Sequence, residues 1–415
     1  MVVNIERLFS KRAKMLKASQ IRELLKITQL PDMISFAGGL PNPLAFPVEI
    51  IHDCIENIFN DKITNALQYG TTEGLPLLRG VLAERMRKKN INCELHDLII
   101  TSGAQQALFL SALCFLDPGD TYLSSVPTYL GAVQAFSAFE SNCESIPMTE
   151  DDIDIDCLRR NLNRLHKTGI NPKFLYTVSN FQNPSGETVS LKNRNELLDI
   201  ASEYDFIIIE DDPYGELIFE GESIPPIKSF DKKGRVIYIS TFSKILAPGF
   251  RLGWAIASKD ILDKLILSKQ AADLCTNIFG QYIAYEYIKS GYLDKQVEKI
   301  KKLYQTKRDI MLDSLKKYFP KEAKWIVPDG GMFIWITLPK RINTNLLLQK
   351  AIAKKVAYVA GDAFYHDGGN YNSMRLNFSY SEDNLIIEGI KRLGEVIKEE
   401  LKITYQDEPF LQEGV

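Results

Sequence analysis

Short apolar runs and longer amphipathic stretches alternate along most of this chain. LIIT (98–101), TYLSS (121–125), KFLYTVS (173–179), FIIIE (206–210), RVIYIS (235–240) and WAIAS (254–258) are rich in β-branched and aromatic residues. Their apolar positions are largely consecutive rather than alternate, the pattern of strands covered on both faces. Stretches with helical spacing separate them, among them SGAQQALFLSALCFL (102–116), TYLGAVQAFSAF (128–139) and KNRNELLDIASEY (192–204). Two further helices are expected before the first of these strands, at 49–59 and 75–90. The rhythm predicts an α/β fold, with a mostly parallel sheet sandwiched by helices.

The pattern changes twice. Residues 260–318 read as mostly helical. AKWIVP (323–328), GMFIWITL (331–338), VAYVA (356–360) and MRLNFSY (374–380) then read as strands of a smaller α+β unit. Residues 1–30 read as an exposed amphipathic helix, stopped by the Gly/Pro-rich loop FAGGLPNPLAFP (36–47). The expected division is an N-terminal arm over 1–50 associated with the small domain, a large domain over 51–300 and a small C-terminal domain over 301–415.

Charge and cysteine usage narrow the function classes. A net charge of −3 gives no electrostatic reason to expect nucleic acid or acidic membrane as partners. The first twenty residues carry charges throughout, unlike a secretory signal, and no apolar run approaches the ~18 residues of a membrane span. The six cysteines are scattered without a C-x-x-C pair, which suits reduced thiols and a cytoplasmic location. The four histidines are far apart, so no metal site is expected.

In an open α/β sheet, ligands bind beyond the carboxyl ends of the strands. Those ends carry TSGAQQ, VPTY, NFQNPSG, DDPY and TFSK. A helix beginning after Ser-Gly offers unpaired N–H groups to an anion, and Gly103 lets the backbone approach closely. Thr241 and Ser243 add hydroxyls, and Arg251 a bidentate cation, which together suit a phosphate. Lys244 lies beside them, placed to bond an aldehyde carried by the same molecule. Asp211 suits a protonated ring nitrogen, Asn183 and Tyr214 a phenolate oxygen, and Tyr129 the face of a flat ring. Each residue alone has a plainer reading: a cap, a turn, a surface charge, a half-buried tyrosine.

An aldehyde, a phenolate, a pyridine and a phosphate on one ring make pyridoxal phosphate. The chain resembles the fold-type-I class I/II aminotransferases over nearly its whole length, and most of all the subgroup acting on aminoadipate, kynurenine and aromatic amino acids. The resemblance rests on the ordered set AGGLPNP, QYGTTEGLPLLR, TSGAQQAL, QNPSGETVS, EDDPYGEL, FSKILAPGFRLGW and MRLNFS. It implies that Lys244 bonds the cofactor covalently, with Asp211 and Tyr214 as its catalytic companions. It also implies that Ala104 and Gln105 supply amides to the phosphate, and that Tyr69 reaches the phosphate of a second subunit, hence a homodimer with shared sites. Arg375 would clamp the substrate α-carboxylate beside Asn183. Gly39 would let substrate approach the backbone, and Arg22 would act as a movable lid reading the distal end of the substrate. Ala104 and Thr241 stand where many relatives have serine. Transamination between an amino acid and a 2-oxo acid such as 2-oxoglutarate is the expected reaction. β-Elimination at cysteine conjugates uses the same frame, and aminotransferase-like sensing modules of transcription regulators share it. The sensor reading requires a DNA-binding domain before the AGGLPNP loop, and that loop already arrives at residue 37.

Overall fold

The computed structural model describes residues 5–15, 32–149 and 152–406. Strands are numbered in chain order, beginning with a short β1 (Ile34–Ser35). The apolar runs form β2 (Leu98–Thr101), β3 (Thr121–Val126), β5 (Phe174–Val178), β6 (Ile207–Asp211), β7 (Val236–Thr241) and β8 (Gly253–Ile256). With β4 (Asn142–Pro147) they build a seven-stranded sheet in the order β2-β8-β7-β6-β5-β3-β4. Neighbours from β4 to β7 are parallel. β8 runs against both β7 and β2, so the sheet is mixed but mostly parallel.

Successive side chains point to opposite faces, and both faces are covered. Leu123, Leu175, Ile208 and Val236 pack with Leu158, Leu162 and Leu165 of the helix Ile155–Lys167 and with Leu197 and Ile200 of the helix Leu191–Glu203. Tyr122, Phe174, Tyr176, Ile209 and Ile237 face the other way, into a cluster shared with Leu108 of the helix Ala104–Phe115. Each fully buried aliphatic side chain of this kind contributes roughly 1.5–3 kcal/mol. The strand β4 and the helix Ile155–Lys167 went unread in the sequence. β4 is an edge strand of sequence NCESIP with one buried residue, so it lacks the continuous apolar run of its neighbours.

The antiparallel return of β8 closes a loop over the end of the sheet. Thr241 pairs with Gly253, so residues 242–252 leave and rejoin the sheet at the carboxyl end of β7. Lys244 and Arg251 are both on this loop.

The smaller sheet contains β9 (Lys324–Trp325), β10 (Phe333–Thr337), β12 (Val359–Ala360) and β13 (Ser373–Asn377), antiparallel in the order β12-β13-β10-β9. VAYVA is two strands rather than one. β11 (Val356–Ala357) pairs with β1, and β12 with β13; between them Tyr358 donates to the Thr344 carbonyl at 2.6 Å. The N-terminal loop is thereby fastened to this unit. Phe36 N–H donates to Ala357 O at 2.8 Å, and Asn377 N–H to Phe36 O at 2.9 Å. The helix Tyr292–Tyr318 runs unbroken through residue 300. At the N-terminus the described residues form a 3₁₀ turn at Ile5–Leu8 and a helix at Lys11–Met15. The rest of the expected 1–30 helix, Arg22 included, lies outside the described residues.

Gly253 marks a close junction between sheet and helix. A Cβ there would stand 2.7 Å from Ala104 N and from Gly103 C, and 2.8 Å from Ser240 O. These are backbone atoms of a strand and a helix start, which cannot swing aside as a side chain does. Gly253→Ala should therefore destabilise the protein by about 1–3 kcal/mol, measured by denaturant unfolding. A loss near zero would show that the helix start moves freely.

Candidate active site

One cavity of about 280 Å³ opens at the carboxyl ends of β5, β6 and β7. Its lining brings together Gly39, Ala104, Gln105, Tyr129, Asn183, Asp211, Tyr214, Thr241, Ser243, Lys244, Arg251 and Arg375, with Val178, Pro213 and Pro248. The volume is near the lower end of the range for small-molecule sites.

One end is built for an anion. The helix Ala104–Phe115 begins here, and its first N–H groups, those of Ala104 and Gln105, have no acceptor within the helix. Gly103 takes φ 79° before it. A Cβ on Gly103 would come within 2.6 Å of the Arg251 Nη2, so the glycine admits the guanidinium while standing behind the cavity wall. Arg251 itself has a left-handed backbone, φ 50° and ψ 48°, uncommon for a side chain other than Gly, Asn or Asp. Its Nη1 lies 3.5 Å from Ser243 Oγ. The Thr241 hydroxyl is occupied: it accepts the Ser243 N–H at 3.1 Å and lies 3.0 Å from both Ser243 Oγ and Leu252 O. It orders the loop from which Ser243 and Arg251 face the cavity.

Tyr129 stands on one wall. Gln105 Nε2 donates to the Gly131 carbonyl at 2.6 Å, and the Tyr129 hydroxyl donates to Gln105 Oε1 at 3.3 Å. Gln105 thus holds the ring as well as offering its amide.

Lys244 lies at the middle. Its Nζ donates to Gly39 O at 2.8 Å. Burial, then the Arg375 and Arg251 cations, push its pKa from 10.5 down to about 8, so about a tenth of the amine is neutral at pH 7, a far larger share than an ordinary lysine offers. Asp211 lies at the end of β6. Its Oδ2 accepts the Tyr176 hydroxyl at 2.9 Å, while Oδ1 is buried without a hydrogen-bond partner. Burial pushes the carboxyl up to about 7 against the lowering effect of the Tyr176 hydrogen bond, with Asp212 raising it further.

The other end presents a buried cation. Arg375, on β13, lies between the rings of Phe333 and Phe364, 4.3 and 5.0 Å from their centroids. Its Nη1 donates to Asn183 Oδ1 and its Nη2 to Ala37 O, each at 2.6 Å; Nε has no partner. Burial lowers its pKa to about 10, which leaves it charged at neutral pH. Because the Asn183 oxygen faces Arg375, its Nδ2 faces Tyr214, 3.5 Å from the hydroxyl. Burial raises the Tyr214 pKa, so the phenol stays protonated and can donate.

Tyr69 does not enter this cavity. It is 79% exposed and lines a separate surface cleft with Leu67 and Ile278. Sequence reading missed Tyr176, Phe333 and Phe364, which look like ordinary core aromatics, and the carbonyls of Ala37 and Gly39, which no side-chain pattern could indicate.

Residues 45–393 match the model of the family described as aminotransferase class I and II. The chain is 50% identical to aromatic-amino-acid aminotransferase 1 of Thermococcus litoralis, over 96% of each chain. It is 38% identical to the 2-aminoadipate transaminase of Thermus thermophilus, over 94% of this chain and 96% of that one. The crystal structure of the Pyrococcus horikoshii kynurenine aminotransferase, a complex with PMP, superposes with a TM-score of 0.93 at 49% identity, covering 96% of this chain and 98% of that one. The anion cradle, the lysine of lowered basicity and the buried arginine thus belong to a chain of the class I and II aminotransferases, enzymes that pass an amino group between amino acids and 2-oxo acids.

Proposed function

We propose that this cavity holds pyridoxal phosphate and transaminates aromatic amino acids and 2-aminoadipate, with a 2-oxo acid such as 2-oxoglutarate as acceptor. The observation that carries the reading is Asp211 Oδ1, a buried oxygen without a partner, lining the same cavity as Lys244. An unpaired buried carboxylate oxygen is costly, and a protonated ring nitrogen satisfies it. The rest of the lining fits the same group. The N–H groups of Ala104 and Gln105, with Ser243 and Arg251, would hold the phosphate. Tyr129 would cover the ring face, and Asn183 Nδ2 and the Tyr214 hydroxyl would donate to the phenolate.

When bound, pyridoxal phosphate supplies an aldehyde that takes up the amino group and a ring that delocalises the charge left at the substrate Cα. Arg375 orients the donor by its α-carboxylate. The Lys244 amine takes the Cα proton and later returns a proton, acting as base and then acid near neutral pH. Asp211 holds a proton at the ring nitrogen. The relatives named for aromatic amino acids, 2-aminoadipate and kynurenine support this donor range. Arg22 would serve as the lid that pairs with a distal carboxylate. Two subunits would share their sites through Tyr69. The six cysteines are all free, which supports a reducing cytoplasm, and no described helix is long and apolar enough to cross a membrane.

Four outcomes test the reading. Below about pH 8 the Lys244 nitrogen is an ammonium without a lone pair; above it the amine is free to attack. Capture of pyridoxal phosphate by cofactor-free protein, followed by absorbance, should accelerate with rising pH around a midpoint near 8 rather than 10.5. Lys244→Ala should retain no cofactor that borohydride fixes; a fixed cofactor in that variant removes Lys244 from the chemistry. For the dimer, Lys244→Ala chains mixed with Tyr69→Phe chains should recover activity, since one site of each mixed dimer carries both defects and the other neither. No recovery in mixed dimers shown to form argues against shared sites. For the lid, Arg22→Ala should lower kcat/KM for 2-aminoadipate by about 1.5–3 kcal/mol, the value of a hydrogen bond to a charged group. Its kcat/KM for an aromatic donor should barely change, and equal small losses with both donors would place selectivity elsewhere.

A further inference from the structure

Tyr176 presents a problem that packing does not solve. It is fully buried on β5, and its ring packs edge-on against Phe136 with centroids 5.4 Å apart. A phenylalanine would make the same contact. The hydroxyl donates to Asp211 Oδ2 at 2.9 Å, and the other oxygen of that carboxylate has no partner. Across β6 a second buried tyrosine does something similar: Tyr238, on β7, donates to Asp212 Oδ2 at 2.8 Å. The two adjacent carboxylates are thus tied to opposite neighbouring strands. Asp212 has further donors, Asn180 Nδ2 at 2.8 Å and the Gly215 N–H at 2.9 Å, and it does not line the cavity.

We infer that Tyr176 is a positioning residue for the reaction: it holds Asp211 by Oδ2 so that Oδ1 is left for the ring nitrogen, and its donated hydrogen bond favours the ionised carboxylate. The inference rests on the reading of Asp211 as the partner of the ring nitrogen. The groups facing Asp211 are Tyr176 on β5, Asp212 beside it on the chain, and Tyr214 beyond the strand end. Asp212 and burial favour the protonated acid, and the Tyr176 hydroxyl opposes both. Without that donor the balance tips further toward the protonated acid, and no side-chain hydrogen bond fixes the plane of the carboxylate. A proton competed for by a stronger base leaves the ring nitrogen, and the electron sink weakens with it.

The test uses Tyr176→Phe, with Tyr238→Phe as its control: an equally buried hydroxyl lost from the same sheet, tied to the carboxylate that does not line the cavity. In cofactor-free protein the Asp211 carboxylic-acid band is titrated by infrared spectroscopy and assigned by its loss in Asp211→Asn. Tyr176→Phe should move its midpoint upward from about 7 by about one unit or more, as expected from loss of a hydrogen bond to a charged group. Tyr238→Phe should leave it in place. In the loaded enzyme Tyr176→Phe should lower kcat roughly tenfold with little change in KM for the amino donor, because Tyr176 touches no substrate. If Tyr176→Phe does not fold, the wild-type protein still decides: the phenol C–O band of Tyr176 must shift as Asp211 titrates. An unmoved Asp211 titration in Tyr176→Phe, an equal shift in Tyr238→Phe, or an unresponsive phenol band overturns the inference alone. Wild-type turnover in Asp211→Asn would instead overturn the reading of Asp211 on which it rests.

Discussion

Three consecutive carboxylates, Glu210, Asp211 and Asp212, are withdrawn from water at one end of a central strand. Taking a carboxylate out of water costs several kcal/mol unless hydrogen bonds replace the hydration, and the surroundings of β6 are arranged to do so. Glu210 accepts from Ser179 Oγ and the Ile227 N–H, both at 2.8 Å, and from the Lys228 N–H at 2.9 Å. The nearby buried Arg194 directs its own donors to the carbonyls of Ser179, Val189, Ile224 and Pro225 and to Asn180 Oδ1. Asp212 is held by Tyr238, Asn180 and Gly215. Asp211 is served on one side only. The outer two acids are structural anchors that fix the strand end, and the middle one, which lines the cavity, is left with an oxygen that has no partner.

The sheet delivers the remaining groups to that point. Parallel β5, β6 and β7 end side by side, so NFQNPSG, DDPY and TFSK converge though they are far apart in the chain. The antiparallel β8 then brings Arg251 back across the start of the helix Ala104–Phe115. The substrate end has a different origin. Arg375 comes from the smaller sheet and is oriented by the Ala37 carbonyl and the Asn183 amide. One amide therefore couples Arg375 to Tyr214, with Asn183 Oδ1 facing the guanidinium and Nδ2 the phenol.

Much of this was legible in the sequence because it follows from patterns that chemistry repeats. Continuous apolar runs identified β2, β3, β5, β6, β7 and β8, and the polar residues just beyond them include Lys244, Asp211, Asn183, Tyr214 and Arg251. What escaped did so for physical reasons. β4 is polar because it is an edge. VAYVA splits because Tyr358 turns the chain between two sheets. The Thr241 hydroxyl, which a sequence offers freely to a phosphate, is occupied by Leu252 and Ser243. Tyr176 cannot be told from a core aromatic until its hydroxyl is seen against Asp211. The carbonyls of Ala37 and Gly39 carry no residue signature at all.

The contacts that complete the pocket join distant parts of the chain: Arg375 and Ala37 are 338 residues apart, and Lys244 and Gly39 are 205 apart. The cavity residues other than Gly39 and Arg375, by contrast, all lie between Ala104 and Arg251 and belong to one sheet with its helices. During synthesis at ~5–20 residues per second, with domains folding as they emerge, that sheet is complete on the order of ten seconds before Arg375 is made. The cavity is therefore assembled in two stages, the walls from the large sheet first and the Arg375 end afterwards. The N-terminal loop made at the outset waits for the last strand of the smaller sheet to give it a place.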